Sequence, residues 1–287
     1  MRRIPALFSI VALCAASLGA QSLSDRFKES YKLWDMTLER GDGNSVRRGV
    51  DSVLQKEGLS VSHSDYNEMH TLVAVNQMAA RACALEGAWE DAIAYLQKAD
   101  AIAGENLHNT GGSLGKIRKE HEQRLVEWKD NLVKQEPRLK ELDEQPGLTK
   151  ELVLQRTQVR DYIEERRNSI THSEQSIRDI DGILDWLKKD QETSTKALAS
   201  WQEFISKEKQ DIAQAGTVQK YVAEKVDQVK ADDARPRFDR LAYTRRLEHL
   251  DPSNPECPKF IKVLLGGEDA AEEAPAKPAK RSKKKKG

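Results

Sequence analysis

The residues able to do chemistry are spread thinly along this chain. His63, His70, His108, His121, His172 and His249 occupy no HExxH or comparable ligand spacing, so they read as solvated or capping side chains, and no metal is expected. The glycine-rich stretch "GENLHNTGGSLGKI", residues 104–117, invites comparison with a phosphate-cradling loop. It lacks the first glycine of such a loop, at Thr110, and Ile117 stands where a metal-binding hydroxyl belongs. Acidic pairs such as Glu164-Glu165 and Asp232-Asp233 lie among Lys and Arg on charged helices, where carboxylates are ordinarily solvated. No constellation of nucleophile, base and oxyanion donor emerges, so the expectation is a non-enzymatic protein with no cofactor.

Two other groups of side chains carry possible chemistry. Once the first twenty residues are set aside, Cys83 and Cys257 are the remaining cysteines; one disulfide and two buried thiols are both open. The tail 267–287 holds Lys277, Lys280, Arg281, Lys283, Lys284, Lys285 and Lys286 in an Ala/Pro/Lys-rich context that reads as disordered. Such a tail attracts polyanions, with an anionic envelope surface as the expected contact; a purely solubilising tail is the alternative.

Residues 1–20, "MRRIPALFSIVALCAASLGA", combine two arginines, an apolar run over 4–18 and small residues around Ala20. That is the layout of a secretory signal peptide, and the run is short of the roughly 20 residues a spanning helix needs. Export to a periplasm or the outside is therefore expected, which argues against nucleic acid as a partner. Lipidation at Cys14 is disfavoured by the bulky Leu13 before it. With Arg2, Arg3 and the tail removed, residues 21–267 hold 43 acidic against 38 basic groups.

The elements that must position these groups are helices. Charged residues make up 33% of the 287 positions and mean hydropathy is -0.72, too polar for a thick core. Ala, Leu, Glu, Lys, Gln and Arg dominate, which favours an all-α fold. Phe27, Tyr31, Trp34 and Leu38 make one buried stripe, stopped at "GDGN" (41–44) and followed by a second helix with Val46, Val50, Val53 and Leu54 inward. The spacing then gives a helix over 64–86, a break at Gly87, and another helix to about Ala103.

This second pair resembles a tetratricopeptide repeat. Ala80 supplies the small residue of the first helix, Gly87 the turn, then Trp89, Ala92, Ile93, Tyr95 and Ala99 follow in the family's order. Cys83 stands where an aromatic is usual, and Gly104 where Pro normally ends the repeat. A second trace, "HLDPSNPE" (249–256) with Pro252, has the repeat's characteristic ending before a last helix over 257–265. The resemblance implies stacked helical pairs, and with them a groove able to hold a peptide or partner helix.

Between the two traces Leu152, Val159, Tyr162, Ile170, Ile177, Leu184, Leu187, Leu198, Trp201 and Ile205 keep mostly to steps of three and four or sums of them, the heptad-like seam of a coiled coil. Gln155, Arg166, Ser173, Gln191, Ser194 and Glu208 interrupt it. Pro146-Gly147 forces one turn, and "KKDQETSTK" (188–196) is expected to be another, because an unbroken helix over 148–229 would be about 120 Å long. The expected organisation is a helical-pair domain 21–106, a Gly-rich linker 107–116, coiled-coil helices 117–231 projecting as an antiparallel hairpin, and repeat-like helices 232–266. The function expected is a scaffold or adaptor for protein partners, with an oligomeric, self-associating envelope spacer as the alternative.

Overall fold

The computed structural model describes residues 23–57, 66–147 and 149–266; the expected leader and basic tail lie outside them. The protein is all-α. Among the described residues there are eight helices and no strand: α1 Leu23–Glu39, α2 Gly43–Glu57, α3 Tyr66–Leu85, α4 Trp89–Glu144, α5 Lys150–Ala215, α6 Val218–Ala231, α7 Arg237–Leu250 and α8 Glu256–Leu265. No helix among them is long and apolar enough to cross a membrane.

The chain divides into two compact units. Unit 1 takes α1, α2, most of α3, α4 up to Ala99, α5 from Ala197, and all of α6 to α8. Its largest core joins Trp34 and Leu38 of α1, Val46 and Val50 of α2, Val75, Met78 and Leu85 of α3, and Leu241, Phe260 and Leu264 of α7 and α8. The N-terminal pairs and the C-terminal helices thus share one interior. Gly41 at φ +85° and Gly87 at φ +77° make the α1–α2 and α3–α4 turns, a conformation that costs a residue with a Cβ about 1 kcal/mol or more. After the first turn Asp42 accepts from Ser45 N at 2.9 Å, a cap on α2; the Ser45 side chain first, and then this backbone bond, hold its carboxyl below the usual range.

Unit 2 holds the start of α3 and residues 100–196 of α4 and α5. Its two long arms run antiparallel, as the cross-pairs demand: Arg118 with Asp181 at 2.6 Å, Lys129 with Glu174 at 2.9 Å, and Glu136 with Arg167 at 2.7 Å. Exposed pairs of this kind contribute about 0–1 kcal/mol each, so they set register more than stability. The turn falls at Pro146-Gly147, as the sequence requires. There Arg156 gathers the C-terminal carbonyls of α4, donating to Leu142 O at 2.7 Å and Gln145 O at 2.8 Å.

Two expectations are corrected. Residues 107–116 are not a linker but part of α4. Asn106 ties this region down by donating to Tyr66 O at 3.1 Å and accepting from Thr110 Oγ1 at 3.0 Å, so helical glycines are tolerated there. Residues 188–196 do not bend; α5 continues through them. Thr193 donates back to Lys189 O, while Gln191 and Thr195 donate to Asp100 of α4 at 3.0 and 2.6 Å. Their polarity belongs to an interhelical layer. The helix instead breaks at Gly216 (φ +85°), where Thr217 caps α6 by accepting from Lys220 N.

A candidate binding groove on unit 1

Two adjacent arginines of α7 build the site. Arg245 donates to Gly41 O at 2.7 Å and to Glu86 Oε1 at 2.9 Å, and Glu86 also accepts from Gly43 N at the start of α2. Arg246 donates to Gly87 O at 3.3 Å, to both oxygens of Glu90 at 2.7 Å, and to Glu208 Oε2 at 2.7 Å. Its guanidinium lies 4.9 Å from the centre of the Trp89 ring. Burial works against this charge, but the hydrogen bonds to Glu90 and Glu208 more than offset it and hold the proton above the ordinary arginine range. One helix turn therefore clamps both N-terminal turns and the end of α5.

The Trp89 ring carries this order outward. Trp201, Phe204 and Tyr243 pack around it with centroids 5.8, 4.9 and 5.9 Å away, and its indole nitrogen donates to Ala84 O. Beyond Tyr243 opens a groove of about 400 Å³ formed by α5, α6, the α6–α7 link and α7. That volume is in the range of ordinary ligand pockets. Its floor is the Tyr221–Tyr243 hydroxyl pair, 3.1 Å apart. Burial, and then the nearby hydroxyl and carboxylates, push Tyr221 up; burial also raises Tyr243, so both phenols stay protonated near neutrality.

The rim is charged in both signs. Lys207 and Asp211 come from α5, Lys225 from α6, and Asp232 and Arg235 from the link. Arg235 pairs with Asp232 at 3.2 Å and covers the Tyr243 ring, while the Lys225 ammonium lies 5.7 Å from the Tyr221 ring centre. Lys207 and Lys225 have no ion-pair partner among the described residues. Phe204 is 46% exposed at the mouth. An apolar edge, free ammonium groups and protonated hydroxyls make a surface for recognition by contact and hydrogen bonding.

No protein-family model matches this chain, and comparison with curated proteins and with solved structures finds no match.

The residues singled out by sequence take mostly packing positions. Ala80, Ala92 and Ala99 are buried, Ile93 is partly so, and Trp89 is 3% exposed. Tyr95 donates to Asp51 of α2 at 2.5 Å and, through burial and that bond, is pushed up to about 12. Pro252 lies in the turn after α7, beside Asp251, which accepts from Ser253 N. Cys83 and Cys257 are both free and sit in separate apolar clusters, so of the two open readings the structure has the buried thiols, each raised by burial to about 11. Lys277, Lys280, Arg281, Lys283, Lys284, Lys285 and Lys286 lie outside the described residues, as does His63. Of the other histidines, His70 meets Asp190 and His121 meets Ser173, each at 3.1 Å. Among the described residues no group of three or more possible metal ligands gathers.

The groove residues and Arg246 carried no motif. One signal was present: Glu208 interrupts an apolar seam, and an acid at a core position calls for a partner.

Proposed function

We propose that the chain is an exported, non-enzymatic adaptor, which holds a protein partner in the unit 1 groove and presents its antiparallel coil as a second surface. The observation that carries this reading is the groove itself, aromatic-floored, with unpaired Lys207 and Lys225 at its rim. The small residues Ala80 and Ala92 and the left-handed Gly87 support a tetratricopeptide-like reading of the α3–α4 pair. The leader-like residues 1–20 support export, and the seven bases of the tail suit an anionic envelope surface.

The test is a pull-down from the native envelope fraction with the full chain and with Phe204→Ala and Lys207→Glu/Lys225→Glu variants. Specific capture of a protein by the parent chain is expected. Failure to recover any would overturn the adaptor.

A second reading, an envelope spacer, is favoured by the length of unit 2. Residues 100–144 alone make an arm of about 67 Å at roughly 1.5 Å per residue. The spacer requires a stable dimer or larger oligomer, the adaptor does not, and light scattering separates them.

A further inference from the structure

The groove is charged in a way that a length of polypeptide would satisfy. Lys207 and Lys225 offer two unpaired ammonium groups, and Asp211 stands near them as an acceptor for a backbone N–H. A uniform polyanion would meet Asp211 and Asp232 as repulsive neighbours. An acidic segment of extended chain meets them too, but it also brings donors: its carboxylates suit the lysines and its backbone amides suit Asp211.

The position of the chain end supplies such a segment. At the end of α8, Leu264 O accepts from the Arg237 guanidinium. Arg237 follows by two positions Arg235, which lines the groove. The described chain ends at Gly266, the cap of α8, and two further residues, spanning at most about 7 Å, bring it to Glu268. Residues 268–273 read "EDAAEE", four carboxylates and two small residues, with the lysine-rich stretch only beyond them.

We propose that residues 268–273 of the same chain occupy the groove formed by α5, α6 and α7, with their carboxylates on Lys207 and Lys225. The segment is an intramolecular occupant that a partner must displace. This rests on reading the groove as a binding surface and adds how it is regulated.

The experiment is zero-length carbodiimide cross-linking of the full-length protein, which joins an amine to a carboxylate in direct contact, followed by peptide mass spectrometry. The internal control is Lys230 with Glu256, 2.6 Å apart. Amides from Lys207 or Lys225 to Glu268, Asp269, Glu272 or Glu273 are expected alongside the control. Lys207→Glu/Lys225→Glu cannot form them, so the tail is read in that variant by protease: at least tenfold faster cleavage within 268–273 is expected, at unchanged helical circular dichroism. Adding Glu272→Lys/Glu273→Lys should restore the protection.

A one-to-one mixture of isotopically heavy and light protein identifies the occupant. Amides confined to heavy–heavy and light–light pairs support the proposal. Heavy–light amides would assign the groove to a second copy and overturn it, and so would the control amide without any groove amide. The outcome does not depend on the pull-down: cross-links with no captured partner leave the occupant and remove the adaptor, and the reverse result removes the occupant alone.

Discussion

Arg246 and Glu208 meet at 2.7 Å, each side chain only 3% exposed. Taking two charges out of water costs several kcal/mol per ion, and what offsets that cost is the completeness of the bonding around the pair. Arg246→Ala would leave Glu208 buried beside nothing. We expect a loss of about 3–5 kcal/mol in urea unfolding. The double change Arg246→Met/Glu208→Leu should cost far less than Arg246→Ala, because no orphan charge remains.

The turn at Gly87 makes a second prediction. A Cβ there would lie 2.5 Å from Arg245 O, backbone against side chain, on a residue already at φ +77°. Gly87→Ala should destabilise by at least about 2 kcal/mol in thermal or urea melts. Gly112, inside α4 with nothing within 4 Å of its Cβ position, should behave oppositely. Gly112→Ala should stabilise by up to about 1 kcal/mol.

His121 gives unit 2 a pH dependence. It is buried against Ser173, and burial, then the nearby Arg124 and His172, hold its pKa below the usual value, with Glu120 acting against them. The unfolded chain therefore takes up the proton first. Stability is full above about pH 6.5 and is lost as pH falls through the depressed folded value. Once the intrinsic pH dependence of amide exchange is divided out, the protection of α4 and α5 should fall between pH 7.5 and 5.5 in the parent and much less in His121→Gln. The lowered carboxylates Asp42, Glu90 and Glu256 act only at more acidic pH.

Cys83 and Cys257 should resist alkylation in the native state, since each thiol is buried and pushed up to about 11. Intact mass after iodoacetamide should show no adduct at these two positions on the folded protein and two after denaturation without reductant. A persistent failure to alkylate in denaturant would mean that they are bonded.

Helices with one apolar face were readable because burial leaves a period in the sequence. Phe27, Trp34 and Leu38 recur at helical spacing, and Trp34 and Leu38 do lie in the core of unit 1. Pro146-Gly147 was readable because proline and glycine act locally. Residues 188–196 were not, because whether Gln191 and Thr195 end a helix or bond across it depends on Asp100, 91 positions from the first of them. The groove stayed hidden for the same reason. Phe204, Tyr221 and Tyr243 come from three helices, and only the fold makes them neighbours.

The clamp at Arg245 and Arg246 also bears on timing. Glu86 and the Gly87 carbonyl leave the ribosome 159 residues ahead of the arginines that satisfy them. A chain threaded N-terminus first will have made α1 to α3, and the whole of the long hairpin, before α7 arrives to close the base. The base of unit 1 can therefore close only after α7 has been made, and until then Glu86 and the Gly87 carbonyl wait without their arginines.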